Sequence, residues 1–141
     1  MITLDQAQTI IQGAFDEAAN LKLKPICVVV LDNRASLRAC LNQDGTSIQR
    51  HKIAQGKANA AISIGMGTRA LMNRAEQQAY FIDAVGRMLD GDFMPVPGGV
   101  LIRDDSGQLL GAVGISGDTS DNDEAAALAG IAAAGFVAET G

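Results

Sequence analysis

Two runs of β-branched and aliphatic residues, each doubled back across a polar turn, constrain this chain more than any other feature. The first is "ICVVVLD" followed by "ASLRACL", turning at Asp32, Asn33 and Arg34. The second is "GGVLIRD" followed by "QLLGAVGIS", joined across Asp104, Asp105, Ser106 and Gly107, a stretch rich in turn formers. Each run reads as a β-hairpin. An antiparallel sheet built from hairpins has apolar faces that other elements must cover.

The covering elements are helical. Thr3 with Gln6 three residues later is a capping-box pattern, and Leu4, Ala7, Ile10, Ile11, Ala14, Phe15 and Ala18 recur at helical spacing to about Asn20. Pro25 closes the connection to the first hairpin. From Ser47 to Ile64 a second helix is expected, with Ile48, His51, Ala54, Ala58 and Ile62 on one stripe and Ile53, Lys57, Ala61 and Ile64 on another side. Only Lys52, Gly56, Asn59 and Ser63 remain as a polar face, so this helix needs cover on more than one side, from another subunit or a bound ligand. "MGTRALMNRAEQQAYFIDAVGRMLDG" continues as one or two shorter helices ending near Gly91. A final Ala-rich helix follows overlapping capping boxes, Ser120 with Asp123 and Asp121 with Glu124.

The order helix, hairpin, helices, hairpin, helix implies one α+β domain over residues 1–141, an antiparallel sheet of about five strands flanked by helices. At 141 residues the chain can bury a core without a disulfide or metal staple. That core is aliphatic: 48% of the residues are hydrophobic, only 4% are aromatic and Trp is absent. With 11 Lys and Arg against 16 Asp and Glu, net charge −5, and no long basic cluster, nucleic acid is excluded as an expected partner. The apolar run Ala125 to Ala138 is shorter than the roughly 20 residues of a spanning helix, so no membrane partner is expected either. The N-terminus lacks a basic stretch of the secretory kind, which makes the cytoplasm the expected location.

The segments "VVVLDNRASLRACLNQDG", "IAQGKANAA" with "GTRAL" after it, and "VPGGVLIRDDSGQLLGAVGISGDTSDNDEAA" resemble the GlcG/HbpS family, also found as the C-terminal domain of PduO-type proteins. Asp32, Ile53, Ala54, Lys57, Ala58, Thr68, Pro97, Gly98, Gly99, Gly114, Ser116, Gly117 and Asp123 occupy the places of that family's pattern. Two departures stand out: Asn33-Arg34-Ala35 replaces a glycine-rich turn, and Arg50-His51-Lys52 is more basic than usual. The resemblance implies a profilin-like fold, homo-oligomers up to octamers and, for some members, binding of haem or a related tetrapyrrole. Other members have no settled activity and lie among genes for small-molecule catabolism.

Within that frame, Lys57 is the leading site candidate. Its ammonium can hold a ligand carboxylate, act as a base if burial lowers its pKa, or pair with Asp32 or Asp123. His51 is the only histidine, so any imidazole ligand to a haem iron must be this residue; the other reading is a packed or interface histidine. Gly98, Gly99, Ser116 and Gly117 can offer backbone N–H groups to an anion at two walls of one pocket, or serve turns and close strand packing. Asp118, Asp121, Asp123 and Glu124 do not have the spacing of a calcium loop and read as solvated first-turn carboxylates. If the first hairpin is centred between Asn33 and Arg34, Cys27 faces Cys40; two reduced, packed thiols are expected there, with a cross-strand disulfide as the alternative.

Three functions remain open. The chain is read first as a homo-oligomeric haem- or small-ligand-binding protein, with Lys57 holding an anionic group and His51 near the metal. The second reading is a small catabolic enzyme, an isomerase or tautomerase of a carbonyl acid, in which Lys57 or Asp123 moves the proton and glycine-loop amides hold an oxyanion. The third is a scaffold or regulator of a partner, suggested by Ala- and Gly-rich helix faces.

Overall fold

The computed structural model describes residues 1–141 in full. The elements are α1 (Leu4–Asn20), β1 (Cys27–Asp32), β2 (Leu37–Asn42), α2 (Arg50–Ile64), α3 (Thr68–Gln77), α4 (Ala79–Met88), β3 (Gly99–Arg103), β4 (Leu109–Ser116), α5 (Ser120–Ala133) and β5 (Val137–Glu139). The five strands form one antiparallel sheet in the order β2-β1-β4-β3-β5. Both expected hairpins form, and pairing of β1 with β4 joins them into one sheet.

Alternation along the central strands sends their side chains to two cores. Val28, Val30, Val113 and Ile115 pack under α1 and α5 with Ile10, Ile11 and Ile131. Cys27, Val29, Leu31 and Ala112 face the other way, toward Ala54, Ala58 and Ala61 of α2. The Thr3–Gln6 capping box forms as expected: the Thr3 hydroxyl accepts from Gln6 N–H and the Gln6 amide oxygen accepts from Thr3 N–H. No helix is long and apolar enough to cross a membrane.

Four expectations are corrected. First, Cys40 lies opposite Val29, and Cys27 opposite Asn42, with a register shift between Val30 and Leu31. The turn is longer than a two-residue loop, because Asp32 N–H donates to Ser36 while the Asp32 carboxylate accepts from Arg34 N–H and Ser36 N–H. Ala35 takes a left-handed backbone conformation there, φ 62°. Second, α2 starts at Arg50, so Ile48 stands in the preceding turn and is 84% exposed. His51 is exposed with it. Third, the second cover of α2 comes from the same chain. Gly56 is buried against Met94, Asn59 donates to Asp92 O at 2.8 Å, and Ala60 packs with Leu71, Ile82, Val85 and Phe93 of the following segment. Fourth, α5 is capped by Thr119, whose hydroxyl accepts from Asn122 N–H. Asp123 is thereby released from capping, and it is buried.

The chain after α5 adds β5, which no sequence pattern located. Gly135 breaks the Ala-rich helix with φ 79°, and Val137 to Glu139 then pair with Arg103 to Leu101 at the sheet edge.

Candidate functional site

Apart from Asp32, the family-pattern residues gather where the end of β4, the start of β3, α2 and the first turn of α5 meet. Gly99 lies opposite Gly114, and Ile115 N–H donates to Gly98 O at 3.0 Å, which places the Pro-Gly-Gly and Gly-Ile-Ser-Gly segments side by side. Below them runs α2. A methyl group on Gly114 would collide with the Ala54 carbonyl, and one on Gly99 with the Lys57 carbonyl. These glycines therefore let a helix backbone sit directly on the sheet. The amide of Gly99 is spent as well, donating to Thr68 Oγ1 at 2.8 Å.

Lys57 lies on the buried side of α2, as its spacing indicates, and is 2% exposed. Its Nζ donates to Ile115 O at 2.8 Å and to Asp123 Oδ2 at 3.1 Å. Asp123 is 1% exposed, and its second oxygen accepts from Asp118 N–H at 3.0 Å. Of the two carboxylates available from sequence, the ion pair therefore forms with Asp123. Asp32 sits at the far end of β1, opposite Gly111, whereas Cys27 at the near end is opposite Ser116. Burial pushes the Lys57 ammonium below its ordinary pKa against the opposing pull of Asp123, and pushes the Asp123 carboxyl up against the pull of Lys57. Both shifts come mainly from loss of water.

The other acidic residues of this stretch divide their work. Asp121 and Glu124 pair with Arg69 of α3, tying that helix to α5. Asp118 accepts from the Asn122 amide at 2.7 Å, from Lys24 N–H at 2.8 Å and from Thr119 N–H at 2.8 Å. These bonds, the Asn122 contact foremost, hold its carboxyl below the usual range. A carboxyl whose folded pKa is depressed contributes stability above its unfolded value and loses it as pH falls through the folded one. The urea midpoint should accordingly fall as pH drops below about 4, and Asp118→Asn should flatten part of that fall. An unchanged slope in the variant would show that Asp118 carries none of the acid dependence.

Neither Lys57, Asp123, Gly98, Gly99, Ser116 nor Gly117 lines any of the three surface clefts. Proton transfer to a bound molecule by Lys57 or Asp123 requires the pair to open. His51 stands apart from them. It lines a cleft of ≈ 430 Å³ with Lys52, Gln55, Asp90, Gly91 and Asp92, between the start of α2 and the turn after α4. A second cleft, ≈ 680 Å³, shares Asp90 and Gly91 and extends along α4 past Ile82, Asp83, Gly86, Arg87, Phe93 and Pro95. Asp90 and Gly91 both take left-handed backbone angles, φ 54° and 82°. The Leu-Asp-Gly-Asp sequence signalled this turn, but nothing in it placed the turn beside His51.

One contact links the two regions and was not foreseen. Arg50, next to His51, donates from its Nε to Ser47 Oγ at 3.1 Å and from its Nη1 to Ser116 Oγ at 3.1 Å. The departure of Arg50-His51-Lys52 from the family's usual composition was its only sequence signal.

Residues 2–132 match the family described as haem-degrading protein HbpS-like. No curated protein sequence matches this chain. Among solved structures, the chain is similar to the complex of PduOC with heme, at 22% identity over 96% of each chain and a TM-score of 0.86. It is similar to HbpS at 26% identity, covering 93% of this chain and 88% of that one, TM-score 0.80. ORFY from Klebsiella pneumoniae is 22% identical over 95% of this chain and 90% of its own, TM-score 0.84. The five-stranded antiparallel sheet with its five helices is thus a shared architecture, and a match running from the second residue to the last turn of α5 makes this chain a member of the HbpS-like family of haem-degrading proteins.

Proposed function

We propose that the protein is a homo-oligomeric binder of haem or a related carboxylated tetrapyrrole, held at the His51 cleft. The observation that carries this reading is the position of His51, an exposed imidazole at a ≈ 430 Å³ cleft in a chain of a haem-degrading family. Haem needs a donor for its iron, cations for its propionates and apolar cover for its rings. His51 supplies the donor and Lys52, in the same cleft, a cation.

Lys57, whose charge is met by Asp123, serves this site by fixing α2 against α5. A ligand carboxylate would have to displace Asp123 to reach it. Gly98, Gly99 and Ser116 act with it by seating α2, and Gly117 by admitting the Pro25 carbonyl at the start of β1, rather than by touching the ligand.

The cleft has no apolar side chain in its own wall. A second copy of the chain supplies the missing cover in this reading, and the exposed Ile48, three residues before His51, is the apolar surface it would meet. A cytoplasmic setting belongs to the same proposal.

Titration of the purified protein with haemin tests it. Wild type should give a saturable Soret shift. His51→Ala should weaken binding about tenfold or more, or abolish the shift, while remaining folded by circular dichroism. Equal titrations of wild type and His51→Ala would remove His51 from the site. A non-saturating response in wild type would overturn the binding function itself. Light scattering on the same samples reads the oligomer, and a monomer at all haemin ratios would overturn the shared cover.

A further inference from the structure

We propose that Cys27 and Cys40 form a reversible intramolecular disulfide in response to a hydroperoxide, making the first hairpin a site of oxidative modification. Both thiols are free, with their sulfurs 3.7 Å apart. They lie on the same face of the sheet, the face that α2 covers, offset by two positions in register because Cys40 is opposite Val29 and Cys27 opposite Asn42. A disulfide needs a sulfur separation near 2.05 Å, so the remaining approach is about 1.6 Å.

The two strands differ in their freedom to supply that movement. β1 is held between β2 and β4. β2 is an edge strand bonded on one side only, and it already departs from regular register beside Val30 and Leu31. Cys40 is half-buried on this edge, whereas Cys27 is fully buried beneath α2 with Ala54 and Ala58. Entry of the oxidant is therefore at Cys40, and the shift to close the gap is a shift of β2.

The chemistry balances with the hydroperoxide as sole oxidant. The Cys40 thiolate attacks the outer peroxide oxygen, the O–O bond breaks, and the departing oxygen takes a proton to leave as water or an alcohol. Cys40 is then a sulfenic acid. Cys27 loses its proton as its sulfur attacks the Cys40 sulfur, the S–O bond breaks and water leaves. Two sulfurs have lost two electrons in total, and the peroxide has gained them. Burial, foremost, and the neighbouring Cys40 push the Cys27 thiol above the usual range, which makes the second step the slow one. A bridge that draws a diagonal pair together is strained, and strained disulfides are the more easily reduced ones. That is the source of reversibility.

The test uses the whole reduced protein treated with hydrogen peroxide, with thiols counted in denaturant and the intact mass recorded. Wild type should lose both thiols, drop in mass by two hydrogen atoms while remaining a single chain on a non-reducing gel, and regain both thiols with dithiothreitol. Cys40→Ser, altered at the half-buried edge position, should keep its Cys27 thiol unreacted. Cys27→Ala, if folded by circular dichroism, should leave a Cys40 sulfenic acid that dimedone traps. Retention of both wild-type thiols, over-oxidation of Cys40 without a bridge, or cross-linking between chains would each overturn the proposal, and none depends on whether haem binds.

Discussion

Lys57→Met should destabilise the fold by about 3–5 kcal/mol, the cost of breaking a buried ion pair by removing one partner. Methionine roughly preserves the volume but leaves the Asp123 carboxylate without its cation and the Ile115 carbonyl without its donor. Denaturant unfolding of wild type and variant reads this directly. The pH dependence gives a second readout. Without Lys57, Asp123 is a buried carboxyl whose folded pKa lies further above its unfolded one, so it favours folding most at low pH and loses that contribution as pH rises through the folded value. The variant's deficit should therefore be smaller at pH near 5 than near 8. Removing both charges separates the pair from its volume: Lys57→Met with Asp123→Leu should recover most of the loss. A deficit of about 1–2 kcal/mol should remain, because Asp118 N–H loses its acceptor and the Ile115 carbonyl its Lys57 donor. A double variant as unstable as Lys57→Met alone would mean that the lost stability never came from the unpaired charge.

Gly114→Ala should cost about 3 kcal/mol or more, at the upper end for overpacked cores, although it adds a single methyl group. The methyl would strike the Ala54 carbonyl, and backbone atoms of a helix and a central strand cannot rotate aside as a side chain can. Gly107→Ala makes the comparison informative. Nothing lies within 4 Å of a methyl at Gly107, and its φ of 86° limits the cost to backbone strain, about 1 kcal/mol. If Gly114→Ala unfolds no earlier in denaturant than Gly107→Ala, α2 is not seated on β4 through this glycine.

The two substitutions probe what the glycines of the second hairpin do. Gly111 and Gly114 leave room for a close approach to the backbone, and the sequence does not say what approaches. The structure brings in the Ala54 carbonyl of α2 at Gly114 and the Leu31 carbonyl of β1 at Gly111. Likewise, Lys57 was legible as a buried lysine because it falls among Ile53, Ala61 and Ile64 on the helix, but its partner was open between Asp32 and Asp123. The choice depends on which end of β1 lies near α5, and that is a property of the sheet order.

His51 shows where periodicity stops being informative. Helical spacing groups it with Ala54 and Ala58, which are buried, yet it is exposed in the first turn of α2, where Arg50 rather than His51 reaches the end of β4. Periodicity reports direction around a helix axis and says nothing about how far along that axis the cover reaches. The same limit affected the first hairpin. Counting from its centre put Cys27 opposite Cys40, and the Asp32 carboxylate, by drawing in Arg34 N–H and Ser36 N–H, lengthened the turn and moved the register.

Legible in the sequence are the α1 capping box, the two hairpins and their turns, the helical segments and, from composition and element order, the aliphatic core and the α+β class. The cap, the turns and the helical segments depend on groups within about four residues of each other, where the chain's own connectivity keeps the partners together, and each hairpin extends outward from such a turn. Packing of distant segments set the rest: α2 is covered by its own downstream segment, Lys57 pairs with Asp123 across 66 residues of chain, and Arg50 reaches Ser116 across the same separation. Such contacts form when burial brings distant segments together, and each buried polar group then takes whichever partner the packed elements place within hydrogen-bonding distance.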